Sequence, residues 1–207
     1  ELASTAEKGT HTLGPIIHNP QLVNSLSARG VSPVDSLQDV ADGSKVLIRS
    51  HGVGPHVYEE AEAKHLDVVD ATCPHVKKAQ QDARKVINDK KALIIVGEKD
   101  HPEVISISQW GCNRAIIIDN VEEAKEIPYC EHMGVVVQTT FSQSRFKQIE
   151  SVLAEKTDDL DVYMTICTAT RQRQEAAVEL AKKVDAMIVI GGKNSANTGR
   201  LAQVCAE

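Results

Sequence analysis

Short apolar runs rich in β-branched residues alternate with amphipathic patterns along the chain. The runs predict strands at Val46–Ile48, Val68–Asp70, Ala92–Val96, Ala115–Ile118, Gly134–Val137, Val162–Thr165 and Ala186–Ile190. Helical spacing predicts helices at Pro20–Arg29, Pro55–His65, Val76–Asn88, Val121–Glu126, Gln143–Glu155 and Arg173–Lys183. In the third of these, Val76, Ala79, Ala83, Val86 and Ile87 form one apolar face. The strands are near-continuous apolar runs, which implies parallel sheets covered by helices on both faces. At one end, "ELASTAEKG" reads as the last turns of a helix stopping at Gly9. At the other, "TGRLAQVCAE" reads as a helix cut in progress. The expectation is an internal piece of a longer protein.

The pattern repeats. Laying "DATCPHVKKAQQDARKVINDKKALIIVGEKDHPE" over "MTICTATRQRQEAAVELAKKVDAMIVIGGKNSAN" sets Gly97 24 positions after Cys73, and Gly191 24 positions after Cys167. Each copy runs strand end, cysteine, helix, strand, glycine, polar loop. Four residues after the glycine come His101 and Ser195, and "GPIIHNP" repeats the step from Gly14 to His18. Three related α/β subdomains in a trefoil around a central site follow, with the first and third incomplete. Their expected bounds are 1–72, 73–165 and 166–207. The spacing also places a first equivalent cysteine upstream of Glu1.

Cys73 and Cys167 each stand where a strand hands over to a helix. Ligand sites in parallel sheets gather at strand carboxyl ends, and a helix N-terminus favours a thiolate. Matched repeat positions set these two cysteines apart from Cys112, Cys130 and Cys205, which read as small apolar fillers. Three converging thiolates suit either a catalytic zinc with an open position or an iron–sulfur cluster with one iron left free.

The loops after the strands carry histidines, hydroxyls and amides: "GPIIHN", "IRSHGV", "GEKDHPE", "QTTFS" and "GGKNSANTGR". They aim His18, His51, His101, Thr139, Ser195 and Asn197 at one cavity. Asn19–Pro20 and His101–Pro102 put proline at a first helical position. Helix N-termini with such donors make an anion site suited to phosphate. Glu103, two residues after His101, reads equally as a proton donor or a first-turn helix residue. Lys99 reads as a surface residue.

Composition narrows the setting. Net charge is −6, which argues against a broad nucleic-acid-binding face. No apolar run approaches a membrane span, and five cysteines without a CxxC pair point to a reducing, intracellular environment.

With these motifs in hand, the chain resembles the 4-hydroxy-3-methylbut-2-enyl diphosphate reductase family. The matching stretches are "GPIIHNPQLVNSL", "RSHGV", "DATCPHVKK", "HPEV", "QTTFS", "CTATRQRQEA" and "GGKNSANTGRLA", in the family's order and over nearly the whole chain. The resemblance implies an iron–sulfur oxidoreductase of the non-mevalonate isoprenoid pathway, cytoplasmic in bacteria or plastid. It implies a [4Fe–4S] cluster held by three cysteines, Cys73 and Cys167 being the second and third. Two electrons and two protons remove the allylic hydroxyl of the substrate as water, giving isopentenyl and dimethylallyl diphosphate. His18, His51, His101, Thr139, Ser195, Ala196 and Asn197 would bind substrate. Glu103 would donate a proton relayed through Thr139, with His101 beside it. An external electron donor such as ferredoxin or flavodoxin is implied, with no nucleic-acid or membrane partner. Many members carry serine where this chain has Ala196, which leaves only a backbone N–H there. The family's first cysteine, in a "GFC" motif, is absent from this chain.

Overall fold

Two four-stranded sheets organise the chain, and both are parallel throughout. The computed structural model describes residues 6–16, 19–192 and 195–206. The first sheet contains β1 (His11–Leu13), β2 (Ser32–Val34), β3 (Lys45–Ile48) and β4 (Asp67–Asp70), connected through α1 (Pro20–Ala28) and α2 (Pro55–Ala63). The second contains β5 (Ala92–Val96), β6 (Ile116–Ile118), β7 (His132–Val137) and β8 (Asp159–Tyr163). Its helices are α3 (Pro74–Asn88), α4 (Pro102–Trp110), α5 (Val121–Glu126) and α6 (Gln143–Ala154). Two further helices, α7 (Thr168–Ala181) and α8 (Ala196–Ala206), pack on each other beyond the second sheet.

The strand orders are β2-β1-β3-β4 and β6-β5-β7-β8, so the two sheets have one topology used twice. Equivalent glycines close equivalent edges: the Gly14 N–H donates to Val34 O at 2.8 Å, and the Gly97 N–H to Ile118 O at 2.8 Å. The step shared by Gly14 and Gly97 is therefore a repeat of fold between the first and second sheets.

The second sheet is sandwiched as its apolar strands require. Ile94, Val96, Val135 and Val137 face α5 and α6, where Phe146, Ile149 and Leu153 are buried. Leu93, Ile95 and Val136 face Ala79, Ala83 and Val86 of α3 and Ile107 of α4. Each buried aliphatic side chain contributes about 1.5–3 kcal/mol, so these two layers hold much of the unit's stability. At Gly134 a Cβ would lie 2.4 Å from a Val86 methyl, so glycine there lets α3 lie close against β7.

Four differences from the sequence pattern have physical causes. Ala186–Ile190 has strand composition but no strand pairing, with Ile188 and Ile190 83% and 91% exposed. A parallel strand exists only with hydrogen-bonding neighbours, and none flanks this segment among the described residues. β1 (HTL) and β2 (SPV) carry no apolar run to mark them as strands, and Pro33 confines β2 to an edge. α4 was marked only by its starting proline, because "PEVISISQW" is rich in β-branched residues of modest helix propensity. α7 begins at Thr168 instead of Arg173: Cys167 is its N-cap, so Thr168 and Thr170 enter the helix despite their modest helix propensity. No described helix is long and apolar enough to cross a membrane.

Candidate functional site

Cys73 and Cys167 are the N-cap residues of α3 and α7, with similar backbone angles (φ −56°, ψ 134° and φ −63°, ψ 130°) and neither making a side-chain cap bond. Their backbones are held alike. The Cys73 N–H donates to Ser50 O and the Cys167 N–H to Thr139 O, each at 3.0 Å. Ser50 and Thr139 both lie two residues past the central strand β3 or β7. Each thiol is half-buried and stands over a helix start whose first N–H groups lack partners within the helix.

The turn before Cys73 is fixed by Asp70 at the end of β4. Its Oδ1 accepts the Thr72 N–H at 2.9 Å and the Thr72 hydroxyl at 2.5 Å. Its Oδ2 accepts the Tyr58 hydroxyl at 3.2 Å and pairs with Lys77 at 2.7 Å, in the first turn of α3. Burial alone would raise this carboxyl, but Lys77 and Thr72 outweigh it and its pKa is lowered. The turn before Cys167 is held differently, by Thr165, whose buried hydroxyl bonds the backbone of Val137.

Thr139 is the pivot of the site. Its N–H donates to Glu103 Oε1 at 2.6 Å and its hydroxyl to Glu103 Oε2 at 2.9 Å, while its carbonyl anchors Cys167. Glu103 is 2% exposed. Burial pushes its carboxyl up to about 7, and the two Thr139 bonds only partly offset that. A carboxyl poised there holds or yields a proton at neutral pH.

His101 is the N-cap of α4, and its Nδ1 accepts the Glu103 N–H at 3.2 Å. In the neutral ring the proton is then on Nε2. The His51 ring stands edge-on to His101, with centroids 5.3 Å apart at 89°. Beside His51, Gly52 has a φ of +70°, and a Cβ there would lie 2.4 Å from Gln80 Nε2, so glycine lets this loop lie against α3. Val53 O then accepts the Trp110 indole N–H at 2.9 Å, tying the first unit's loop to α4.

Glu103, Thr139, His101, His51 and Cys167 are thus linked by direct contacts, and Cys73 occupies the equivalent anchored position one unit back. Ser195 precedes α8, and its hydroxyl accepts the Thr198 N–H at 3.4 Å. Ala196 and Asn197 form the first turn of α8. The Oδ1 of Asn197 is a buried acceptor with no hydrogen bond among the described residues. His18 lies outside the described residues. Lys99 is at the surface, paired with Glu123 at 2.8 Å. No three His, Cys, Asp or Glu side chains gather as a metal-ligand set among the described residues. Three contributors had no sequence signal of their own. These are Asp70, Gln138, whose Oε1 accepts the Glu98 N–H at 2.9 Å, and Arg200.

Comparison with known proteins places the chain in a family. The family model described as "LytB protein" matches residues 1–207. The chain is 45% identical over 205 residues to 4-hydroxy-3-methylbut-2-enyl diphosphate reductase of Pelobacter propionicus, covering 99% of this chain and 73% of that one. It is 44% identical over 200 residues to the protein of the same name from a Thermoanaerobacter species, covering 96% and 69%. The solved structure of the E-1-hydroxy-2-methyl-but-2-enyl-4-diphosphate reductase from Plasmodium falciparum matches with a TM-score of 0.93 at 27% identity. That match covers 99% of this chain but only 65% of that one. A second solved structure, of (E)-4-hydroxy-3-methyl-but-2-enyl diphosphate reductase, matches with a TM-score of 0.73 at 40% identity, covering 98% and 73%.

Proposed function

Because the chain belongs to the LytB protein family, we propose that it carries the central part of a reductase site for (E)-4-hydroxy-3-methylbut-2-enyl diphosphate. The reaction adds two electrons and two protons and cleaves the allylic C–O bond. One proton leaves with the hydroxyl as water and the other goes to carbon, giving isopentenyl or dimethylallyl diphosphate. The observation that carries this reading is Thr139, which binds the near-neutral carboxyl of Glu103 through its N–H and hydroxyl and anchors Cys167 through its carbonyl. A proton source and a thiol ligand position are thus fixed to one residue.

Cys73 and Cys167 fit a thiolate-ligated group: both are half-buried at helix starts, both are anchored through their own N–H, and sulfur donors suit iron–sulfur clusters. They would hold two corners of a [4Fe–4S] cluster, with a third cysteine outside this chain. When bound, such a cluster supplies the electrons and an open iron. The protein's own residues do the rest. Glu103 holds the proton and passes it through the Thr139 hydroxyl. His101 and His51 line the approach beside it. Ser195, Ala196 and Asn197 offer a hydroxyl, backbone N–H groups and an amide to the diphosphate, as a helix start does for anions. His18 belongs with them in this reading.

The same reading takes 1–72, 73–165 and 166–207 as three units around one centre, supported by the twofold use of one sheet topology. It draws electrons from a small external carrier such as ferredoxin or flavodoxin. It places the protein in the bacterial cytoplasm, in keeping with its bacterial relatives. Anaerobic reconstitution with iron and sulfide, followed by metal and sulfide analysis, tests it. Stoichiometric iron and sulfide that fall sharply in Cys73→Ser and Cys167→Ser support the reading. Zinc in place of iron, or equal iron in all three proteins, overturns it.

A further inference from the structure

We propose that Arg200 is a positioning residue that docks the start of α8, with Ser195–Asn197, onto the loops carrying Glu103 and Thr139. The inference rests on the reading that these loops serve one ligand. Arg200 is 6% exposed, an unusual state for a guanidinium on an otherwise amphipathic helix. Its head group lies 4.8 Å above the Phe141 ring, two residues from Thr139. Its Nη2 is 3.6 Å from Glu98 Oε1, in the loop that leads to His101 and Glu103. Its Nη1 donates to Gln203 Oε1 at 2.7 Å, which holds the fork within α8.

The partners are themselves tied to the site. The Glu98 N–H donates to Gln138 Oε1, Gln138 Nε2 donates to Thr140 Oγ1, and the Phe141 N–H donates to Gln138 O. Arg200 therefore contacts both loops that converge on Glu103, from a helix whose first turn is Ala196 to Gly199. It lies one turn beyond Ala196, so the guanidinium fixes where the N–H groups of that turn point. A planar fork that stacks and pairs at once is a task for arginine, and lysine supplies only the charge.

The test uses the intact protein with Arg200→Lys, Arg200→Met, Glu98→Gln and the Glu98→Gln/Arg200→Met pair. Two quantities are read: the affinity for inorganic pyrophosphate by calorimetry, and amide hydrogen exchange of residues 195–199 against α3 as internal control. Arg200→Met is expected to weaken pyrophosphate binding about tenfold or more, the scale of one lost charge-assisted contact. It should also speed exchange at 195–199 and leave α3 unchanged. Arg200→Lys should recover part of both. The double variant should be no worse than Arg200→Met, since Glu98 acts through the same contact. Arg200→Met with parental affinity and parental exchange overturns the proposal, as does additivity with Glu98→Gln. If the parent protein fails to bind pyrophosphate, the diphosphate reading fails, and the exchange data still decide the role of Arg200. If Arg200→Met does not fold, Arg200→Lys carries the test, and parental values in it overturn the proposal.

Discussion

Glu103→Gln should change how stability depends on pH. The Glu103 carboxyl is raised from 4.5 to about 7 by burial. The unfolded chain releases that proton near the ordinary value, so between the two pH values the folded state holds a proton that the unfolded state has lost. Stability from this group is therefore fully present at low pH, falls as pH rises through the window, and levels off above about 7. At about 1.4 kcal/mol per pH unit, the span comes to about 3 kcal/mol. Glutamine has the same shape, accepts the Thr139 N–H through its oxygen, meets the Thr139 hydroxyl through its amide, and does not titrate. Urea unfolding of the reduced, metal-free protein at several pH values between about 4 and 8 measures the effect. The difference between variant and parent should move in favour of the variant by about 2–3 kcal/mol across that range. A difference constant to within about 0.5 kcal/mol would mean that Glu103 is already ionised below neutrality, and the stored proton would be lost from the mechanism.

Thr139→Val removes the hydroxyl that Glu103 Oε2 accepts, and with it a hydrogen bond that lowers the Glu103 pKa. Turnover should fall by about 10²–10⁴, and the basic limb of the pH–rate profile should move to higher pH. An unchanged profile would remove Thr139 from the relay. Asp70→Ala leaves Lys77, Thr72 and Tyr58 without their shared acceptor. It should cost about 1–3 kcal/mol in urea unfolding and speed iron loss to a chelator, whereas Tyr58→Phe should lose iron at nearly the parental rate. Gly52→Ala combines a φ of +70° with a Cβ 2.4 Å from Gln80 Nε2. It should destabilise by about 1–3 kcal/mol, read as a drop in melting temperature, and it should weaken pyrophosphate binding because the His51 loop moves.

Much of this was legible along the chain where the physics is local. β5 and β7 announce themselves because buried parallel strands are apolar at every position, and α3 because its apolar face follows the helical period. Cys73 and Cys167 stand out through matched spacing, since each must fall at the same hand-over from strand to helix. The same rule misreads Ala186–Ile190, whose composition is that of a central strand but whose pairing depends on neighbours that no local pattern encodes. The pairing of Glu103 with Thr139 spans 36 residues, and the sequence alone left Glu103 balanced between a proton donor and a helix-start residue. In the fold Glu103 does stand in the first turn of α4, and its burial, which no local pattern encodes, is what raises the carboxyl. Asp70 looks like any strand-end aspartate, and Arg200 like the solvent face of its helix. Their importance lies in contacts with distant loops, which only the folded chain brings within reach.

Single-turnover reduction tests the central claim most directly. The intact protein, reconstituted with iron and sulfide and reduced by a strong one-electron donor, is mixed with (E)-4-hydroxy-3-methylbut-2-enyl diphosphate, and the products are resolved. The parent should yield isopentenyl and dimethylallyl diphosphate within one turnover. Glu103→Gln, matched for cluster content, should be slower by about 10²–10⁴ with substrate binding retained. No product from a fully loaded parent, or parental rates in Glu103→Gln, would contradict the assignment of this site.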